Sequence, residues 1–164
     1  MTIRHLEPMD YATVSAVVDA WWGGRPMRGL LPRLFFEHFR PTSFAFEEEG
    51  RLVGFLVGFR SQTDSSVAYI HFVGVDPAAR GRGIGRGLYD RFFRVVADLN
   101  CREVRAITSP VNKGSIEFHR HLGFEIEPGD GEVDGLPVTR DYGGPGQDRV
   151  LFRKRLAAGG RRPG

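Results

Sequence analysis

The chain reads Val73-Gly74-Val75-Asp76-Pro77-Ala78-Ala79-Arg80-Gly81-Arg82-Gly83-Ile84-Gly85-Arg86-Gly87-Leu88 where an apolar segment passes through a glycine-rich turn into an amphipathic segment. Glycines at alternate positions from 81 to 87 let a ligand approach the backbone without obstruction by Cβ atoms. A helix that begins after this turn presents free N–H groups and a partial positive charge at its N-terminus. The stretch therefore predicts a strand, a turn that binds a pyrophosphate, and a helix. Additional donors are predicted at Arg80, Arg82 and Arg86.

Two other nucleotide-binding motifs do not match this turn. A Walker A motif requires Gly-Lys followed by Ser or Thr, which the turn does not contain. The dinucleotide fingerprint G-x-G-x-x-G fails in both registers, because its last position falls on Arg86 or on Leu88. A flexible turn without a ligand is the plain alternative, and the order of strand, turn and amphipathic helix argues against it.

Length and composition indicate one folded unit. The 164 residues are 41% hydrophobic and include 13 Phe, which predicts a single domain at 1–156 followed by a disordered basic tail at 157–164. The one cysteine, Cys101, cannot form an intrachain disulfide, which fits a reducing cytoplasm. The net charge is 23 − 20 = +3, too small to indicate nucleic-acid binding. Neither a signal peptide nor a membrane span of about 20 apolar residues is predicted, and no metal site is predicted.

Hydrophobic periodicity predicts elements in the order β-α-α-β-β-β-α-β-α-β-β. The predicted helices cover 9–20, 30–39, 84–99 and 114–122, and the predicted strands cover 2–6, 42–48, 51–59, 67–75, 103–108, 124–127 and 149–156. A long Gly- and Asp-rich loop is predicted at 128–146. Hairpins in the middle followed by a β-α-β unit predict an α/β (α+β) fold with a mixed sheet and helices on its faces.

The six residues from Arg80 to Gly85 match the R/Q-x-x-G-x-G/A signature of the GNAT superfamily of N-acetyltransferases, and the Val-Gly-Val-Asp-Pro before them resembles that family's approach to the loop. The resemblance implies a mostly antiparallel central sheet that is splayed at the cofactor site. It also implies acetyl-CoA as co-substrate, with its pyrophosphate on the backbone of the turn and helix start. The cofactor-binding residues predicted on this stretch are Val73, Gly74, Val75, Arg80, Gly81, Arg82, Gly83, Ile84, Gly85, Arg86 and Gly87.

A second segment resembles the family's other hallmark, an Asn followed by a short helix and Leu-Gly-Phe, and runs from Ser109 to Phe124. Asn112, Ser115 and His119 are spaced i, i+3 and i+7 and share one helical face. The resemblance places this face along the cofactor, with Asn112 beside the pantetheine arm, and Asn112 also suits a helix N-cap. The family often has a Tyr at position 119 that protonates the leaving thiolate. For His119, proton donation and simple packing beside the cofactor are both open.

The base and the oxyanion donor are expected on the strand at 67–75. In the family a splayed fourth strand supplies backbone donors, and Gly74 suits a bulge there. His71 lies nine residues before Arg80, an offset at which arylalkylamine acetyltransferases carry a histidine that helps to remove the amine proton. An imidazole that titrates near neutral pH suits a base, and an inert core histidine is the alternative. Tyr69 lies two residues earlier on the same face and is a predicted substrate-binding residue.

The acceptor site is expected beside the two tryptophans Trp21 and Trp22, in the connection that walls this site in GNAT folds. Adjacent tryptophans in a Gly- and Pro-rich loop are hard to explain as core alone, so both are predicted substrate-binding residues, with core packing as the alternative. The loop from Asp130 to Asp148 is expected at the same mouth, where its carboxylates would favour a cationic acceptor.

Three functions are compatible with these residues. The first is a cytoplasmic enzyme that transfers an acetyl group from acetyl-CoA to a primary amine of a small molecule or peptide by direct attack. The second is a catalytically weak acyl-CoA-binding regulatory module of the same fold, which the missing Tyr at position 119 keeps open. The third is a nucleotide-binding domain of another family, which the failed motifs disfavour. A homodimer is also expected, and the identity of the acceptor is not indicated by the sequence.

Overall fold

A computed structural model describes residues 1–157 as a central sheet with helices on both faces. The strands of this sheet are β1 Thr2–His5, β2 Phe44–Glu48, β3 Arg51–Arg60, β4 Val67–Val75, β5 Glu103–Thr108, β6 Glu125–Ile126 and β9 Val150–Arg155, and a separate hairpin is formed by β7 Gly131–Val133 and β8 Leu136–Val138. The helices are α1 Asp10–Trp21, α2 Leu34–His38, α3 Ile84–Asp98 and α4 Lys113–His121. The seven strands lie in the order β1-β2-β3-β4-β5-β9-β6, and every neighbouring pair except β4 and β5 is antiparallel. The predicted mixed, mostly antiparallel sheet is confirmed.

The core lies on both faces of β3, the middle strand of the first half of the sheet. This strand is buried from 52 to 58, and its sequence is therefore a continuous apolar run rather than an alternation. One face packs against α1 and α2 through Val18 and Phe36. The other packs against the apolar stripe of α3, which consists of Leu88, Phe92 and Val96.

The sheet opens between β4 and β5. The two strands pair in parallel only where Val67, Ala68 and Tyr69 face 103–105, while β5 continues to pair with β9 as far as Thr108. Within residues 1–157, β4 has no partner on this side beyond Tyr69, because the two strands diverge. The predicted splay is confirmed, and it leaves backbone polar groups of β4 without a strand partner at 70–75.

The second helix is shorter than predicted because Pro32 interrupts it. A single 3-10 turn covers Arg28–Leu30, Leu31 then takes a non-helical conformation (φ −126°, ψ 61°), and α2 begins only at Leu34. Proline disfavours helical geometry in the residue before it and lacks an N–H to donate. The continuous helix predicted at 30–39 is therefore wrong.

The bulge of β4 lies at His71, whereas the sequence predicted it at Gly74. The register of β3 and β4 passes from Val57 opposite Phe72 to Gly58 opposite Ile70, so that His71 has no partner residue. Gly74 is required for another reason. A Cβ there would lie 2.5 Å from Cε1 of Phe55, so the glycine allows close packing of an aromatic ring.

The region predicted as a loop at 128–146 contains the β7–β8 hairpin. Its turn is Asp134-Gly135, with φ of 49° and 79°. Asp-Gly is a preferred sequence for this two-residue turn, and the flanking strands of three residues each are too short to show a period.

No helix in the described part of the chain combines the length and the apolar character needed to cross a membrane. Over the same residues, no group of three or more His, Cys, Asp or Glu side chains is placed to hold a metal ion. The basic tail predicted at 157–164 lies outside the described residues from 158 onward.

Candidate active site

The opening of the sheet leads into a cleft of about 840 Å³ between the end of β4, the start of α3 and α4. Most of the predicted cofactor and substrate residues line this cleft, namely Trp21, Trp22, Val73, Val75, Arg80, Gly81, Gly83, Ile84, Gly85, Arg86, Asn112, Ser115 and His119. Three residues predicted to bind the cofactor do not line it, namely Gly74, Arg82 and Gly87.

The turn before α3 offers a row of unpaired backbone donors. Gly81 and Gly83 adopt φ of 76° and 79°, the left-handed region that other residues avoid. Among the described residues, none accepts a hydrogen bond from a backbone N–H of 81–86, and the helical ladder starts with the N–H of Gly87 donating to the Gly83 carbonyl at 2.9 Å. These N–H groups and the N-terminus of the 15-residue helix suit an anionic group.

The three arginines of the turn differ in what they contact. Arg80 is a structural tie, because its Nη2 donates to the Trp21 carbonyl at 2.8 Å and its Nε to the Val75 carbonyl at 3.2 Å. Arg82 is turned toward β2, where it forms an ion pair with Glu48 and lowers the pKa of that carboxyl. Arg86 lines the cleft and lies 4.0 Å from Asp90 one helical turn on. Arg80 and Arg86 both line the cleft and are therefore placed to supply charge to a bound anion, whereas Arg82 is not.

Helix α4 contributes its first turn to the cleft. The Oδ1 of Asn112 accepts the N–H of Ser115 at 3.2 Å, so Asn112 is the N-cap as expected, and both residues also line the cleft. Phe118, one turn further, lies 3.4 Å from a Cβ built on Gly85. The helices α3 and α4 therefore approach closely at this point.

His119 is buried, with 6% of its surface exposed, and its ring stacks on Phe152 at 4.4 Å. Its Nδ1 donates to the Ser115 carbonyl at 2.7 Å, because a carbonyl can only accept. In the neutral ring Nε2 is then an acceptor, and the Tyr89 hydroxyl donates to it at 2.9 Å. Burial lowers the pKa of His119 below its ordinary value of 6.5, and the bond to Ser115 offsets only part of that effect.

Tyr89 is a residue of the cleft lining that the sequence interpretation missed. It lies on α3 with 3% of its surface exposed, and burial raises the pKa of its hydroxyl, which therefore keeps its proton. Its position among Leu88, Phe92 and Val96 made it look like another core residue. The one available signal was a polar hydroxyl on an otherwise apolar helical face.

A second cavity of about 460 Å³ lies on the other side of the opening and is bordered by Tyr69 and His71 of β4. Burial is the larger of the causes that raise the pKa of Tyr69 to about 12. The Nε2 of His71 donates to the Leu30 carbonyl at 2.6 Å, and its ring stacks on Phe35 at 4.4 Å. This hydrogen bond fixes the tautomer of the neutral ring and leaves Nδ1 as its proton acceptor.

The structure separates the two tryptophans. Trp22 lines both cavities and packs on Phe72 with ring centroids 4.9 Å apart. Trp21 lines only the first cleft and packs on Phe55 at 6.1 Å. Trp22 is thus placed between the two cavities, and Trp21 borders the cofactor side.

The loop after α4 reaches the second cavity, but its carboxylates do not line it. Asp130, Asp141 and Asp148 accept backbone N–H groups within the loop, and Asp134 contacts Lys113 at 3.3 Å. The loop residues that border the cavity are Gly143, Gln147 and Arg149. The structure therefore does not support the expected acidic lining, because these carboxylates are used to hold the loop together.

The two cavities meet at the opening between β4 and β5. They share seven residues, namely Trp22, Arg25, Val73, Tyr89, Asn112, Ser115 and His119. A long anionic ligand on the turn before α3 and a smaller ligand in the second cavity would therefore meet beside Tyr89 and His119. This arrangement suits a group transfer between two bound molecules.

Comparison with known proteins agrees with this geometry. The family model described as "Acetyltransferase (GNAT) family" matches residues 12–124, more than half of the chain. The chain belongs to the GNAT family of acetyltransferases. The family predicted from Arg80 to Gly85 is confirmed, and a nucleotide-binding domain of another family is excluded.

Relatives and solved structures place the chain among acetyltransferases of several kinds. It is 32% identical over 133 residues to the mycothiol acetyltransferase of Mycolicibacterium gilvum, covering 73% of this chain and 43% of that protein. It is 35% identical over 141 residues to the amino-acid acetyltransferase of Mycobacterium tuberculosis, covering 85% and 73%. The structure of Ard1 from Thermoplasma volcanium shares the fold, with a TM-score of 0.76 at 22% identity over 95% of this chain and 97% of that one. The chain spans only 38% to 44% of the length of three curated relatives.

Proposed function

We propose that this protein is an acetyl-CoA-dependent N-acetyltransferase that acetylates a primary amine of a small molecule or peptide by direct attack on the thioester. The observation that carries the proposal is the opening of the sheet beyond Tyr69, where a cleft with free backbone donors meets a second, smaller cavity. The residues present fit the co-substrate, because the N–H groups of 81–86 and Arg86 suit a pyrophosphate. The relatives named mycothiol acetyltransferase and amino-acid acetyltransferase favour a small-molecule acceptor.

The reaction requires balanced proton transfers at the opening. The amine nitrogen attacks the thioester carbonyl carbon, the C–S bond breaks, the nitrogen loses a proton, and the thiolate gains one. Beyond Tyr69, β5 no longer pairs with β4, so backbone N–H groups of β4 are available there to stabilise the oxyanion. The base that we propose is Nδ1 of His71. His71 borders the second cavity, which we call the acceptor cavity because we propose that it binds the amine.

Proton delivery to the thiolate is assigned to the Tyr89 hydroxyl, and His119 is the residue that positions this hydroxyl. The neutral His119 ring has one proton, on Nδ1, and donates it in the hydrogen bond to the Ser115 carbonyl, so Nε2 accepts the Tyr89 hydroxyl and has no proton to give. The Tyr89 hydroxyl gives its proton to the thiolate, and the phenolate regains one from solvent when the products leave. Both residues line both cavities. The hydroxyl of Tyr89 thus supplies the phenol that the sequence lacks at position 119, and this weakens the case for a binding module without turnover.

The direct test is release of free CoA thiol from acetyl-CoA in the presence of a panel of amines that includes amino acids, polyamines, an aminoglycoside and peptides. We expect amine-dependent release, with a mass increase of one acetyl group on the amine. Binding of acetyl-CoA without release in any arm would instead support the regulatory module. A homodimer stays a prediction, and light scattering of the purified protein measures it.

The role of His71 has its own test. His71→Ala is expected to lower kcat/KM by about 100-fold, because a positioned base contributes that much or more. The deficit should shrink at high pH, where more of the amine is already deprotonated, and acetyl-CoA affinity should not change. His38→Ala, an exposed histidine at the end of α2 that lines neither cavity, is the control. A folded His71→Ala protein with the kcat/KM of the wild type would remove His71 from the mechanism.

A further inference from the structure

The charge of the acceptor cavity is positive. Among residues 1–157, its lining contains two arginines, Arg25 and Arg149, and no Asp or Glu. An ammonium group with no other charge is repelled in such a cavity, whereas an anionic group is attracted. The side chains that line the cavity therefore indicate the charge of the acceptor, which the glycine-rich turn does not.

Arg149 is held in place from several sides. Its backbone N–H and carbonyl pair with Thr139 at 3.1 and 2.8 Å, just before β9 begins. Its Nη1 donates to the Asp148 carbonyl at 2.8 Å and its Nη2 to Oε1 of Gln147 at 3.1 Å. A guanidinium has five N–H donors, so hydrogen atoms are left for a further acceptor.

The charge of Arg149 is not neutralised by a neighbour. Across residues 1–157, no carboxylate forms an ion pair with it. The nearest carboxylate in sequence, that of Asp148, accepts the N–H of Asp141 at 3.0 Å instead. A partly buried, oriented guanidinium without a counter-ion at the wall of a cavity is suited to bind a carboxylate in the fork geometry.

Arg25 has a different position. It lines both cavities and follows two glycines with φ of 67° and 86°, in a segment where Asp19 accepts the N–H groups of Met27 and Arg28 at 2.9 Å each. Because Arg25 borders the cofactor cleft too, its charge can serve either ligand. Arg149 lines only the acceptor cavity and is the selective one of the two.

We propose that the acceptor is a small amino acid-type molecule, a primary amine with a free carboxylate, and that Arg149 binds this carboxylate. The inference rests on the proposed function and names its substrate class. The positive lining also favours the uncharged form of the amine, which is the form that attacks. The carboxylate binds at the loop side of the cavity, and the amine points toward the opening of the sheet beside Tyr89.

The experiment compares matched pairs of acceptors, namely the protein amino acids other than proline and their carboxamides, which differ only in the carboxylate. For the best pair, we expect the wild-type protein to prefer the acid by about tenfold or more in kcat/KM, the size of one charge-assisted contact. Arg149→Gln should lower kcat/KM for the acid by about the same factor and leave that for the amide within about twofold. Arg140→Gln, an exposed arginine of the same loop that does not line the cavity, is the control and should keep the preference.

Four results of the turnover experiments would overturn the inference. One is equal use of acid and amide by the wild-type protein, and another is an equal loss for both in Arg149→Gln, which would indicate a structural role. The third is a preference for phosphoethanolamine over every amino acid, which would assign the cavity to a phosphate. The fourth is efficient turnover of polyamines alone, which would overturn this inference while it supported the proposed function.

A binding measurement decides the matter if no acceptor is turned over, an outcome that counts against the proposed function alone. Calorimetric titration of the same acids and amides into protein saturated with CoA measures the acceptor cavity without chemistry. Acid binding that is lost in Arg149→Gln and kept in Arg140→Gln supports the inference. Absence of any difference between acid and amide overturns it.

Discussion

The two cavities at the opening of the sheet are built from different parts of the chain. The cofactor cleft takes its anion-binding groups from backbone N–H groups of one continuous segment, residues 81–86. The acceptor cavity takes its polar groups from side chains of segments far apart in sequence, among them His71 and Arg149. A backbone site requires glycines at fixed positions and leaves a motif, whereas a side-chain site does not. The cleft can therefore belong to a whole family while the cavity differs from one member to another.

The largest expected effect is at the backbone site. Gly85→Val adds a branched side chain whose Cβ would lie 3.4 Å from Phe118 and 3.8 Å from Val75, two residues that line the cleft. It should lower acetyl-CoA affinity by about 100-fold, because the side chain fills space beside the backbone donors. Gly87→Ala is the control, two residues on in the same helical turn, where a Cβ would lie 3.7 Å from Ile3 and Phe46, away from the cleft. Calorimetry measures both, and equal affinities for the two variants would contradict a backbone site.

The next effect is at the junction of the two cavities. Tyr89→Phe removes only the hydroxyl and should lower kcat by about tenfold or more, with acetyl-CoA affinity unchanged. His119→Phe should have a similar effect, and the double variant should be no worse than either single one if the two act as a pair. Tyr11→Phe, which lines neither cavity, is the control. Additive losses would show that Tyr89 and His119 act separately.

A smaller effect separates the tryptophans. Trp22→Ala should raise the acceptor KM by about tenfold with a lesser change in acetyl-CoA affinity, because Trp22 borders the acceptor cavity. Trp21→Ala should do the reverse, since Trp21 lines the cofactor cleft only. Steady-state kinetics with each substrate varied in turn gives both values. Equal losses in both, with a lowered Tm, would indicate core packing.

The smallest effect is on stability as a function of pH. Burial lowers the pKa of His119, so the unfolded chain binds a proton at a higher pH than the folded protein does. Its contribution to stability is complete above the unfolded value of 6.5 and is lost as the pH falls through the lowered folded pKa. Denaturant unfolding from pH 7 downward should therefore show a shallower loss in His119→Phe. The control is His121→Phe, an exposed residue whose Nδ1 also donates to a carbonyl four residues earlier, and it should keep the wild-type slope.

Local signals in the sequence predicted most of the fold and the cofactor side of the site. The strand from Val67 to Val75, the turn that ends at Gly83 and the helix start at Ile84 each have a signal within a few residues, and the structure has them where they were expected. The prediction of a helix at 30–39 was wrong because it followed the apolar stripe and gave too little weight to Pro32, which interrupts the helix. The bulge was predicted at Gly74 but lies at His71. Its position depends on how β4 pairs with β3, and the sequence of β4 alone does not determine that register.

The acceptor side could be predicted only in part. His71, Tyr69 and Trp22 were predicted with the help of the resemblance to a family, and all three border the cavity, whereas Trp21, predicted with them, does not. Tyr89 and Arg149 were missed, because the first sits in a core-like stripe and the second in a loop whose path is set by tertiary contacts. The expected acidic lining failed for the same reason, since composition does not tell which way a side chain points.

The central claim is that acetyl-CoA binds on the backbone of the turn before α3 and leaves the acceptor cavity, which Arg149 lines, free for an acceptor. Titration of isotope-labelled protein with acetyl-CoA, followed by backbone amide NMR, tests this claim most directly. The account predicts that the largest shift changes fall on the amides of 81–86 and on Asn112 and Ser115, with the amides of Gly143 and Arg149 changing little. Saturable binding whose largest changes fall at Gly143 and Arg149, with 81–86 unaffected, would contradict it.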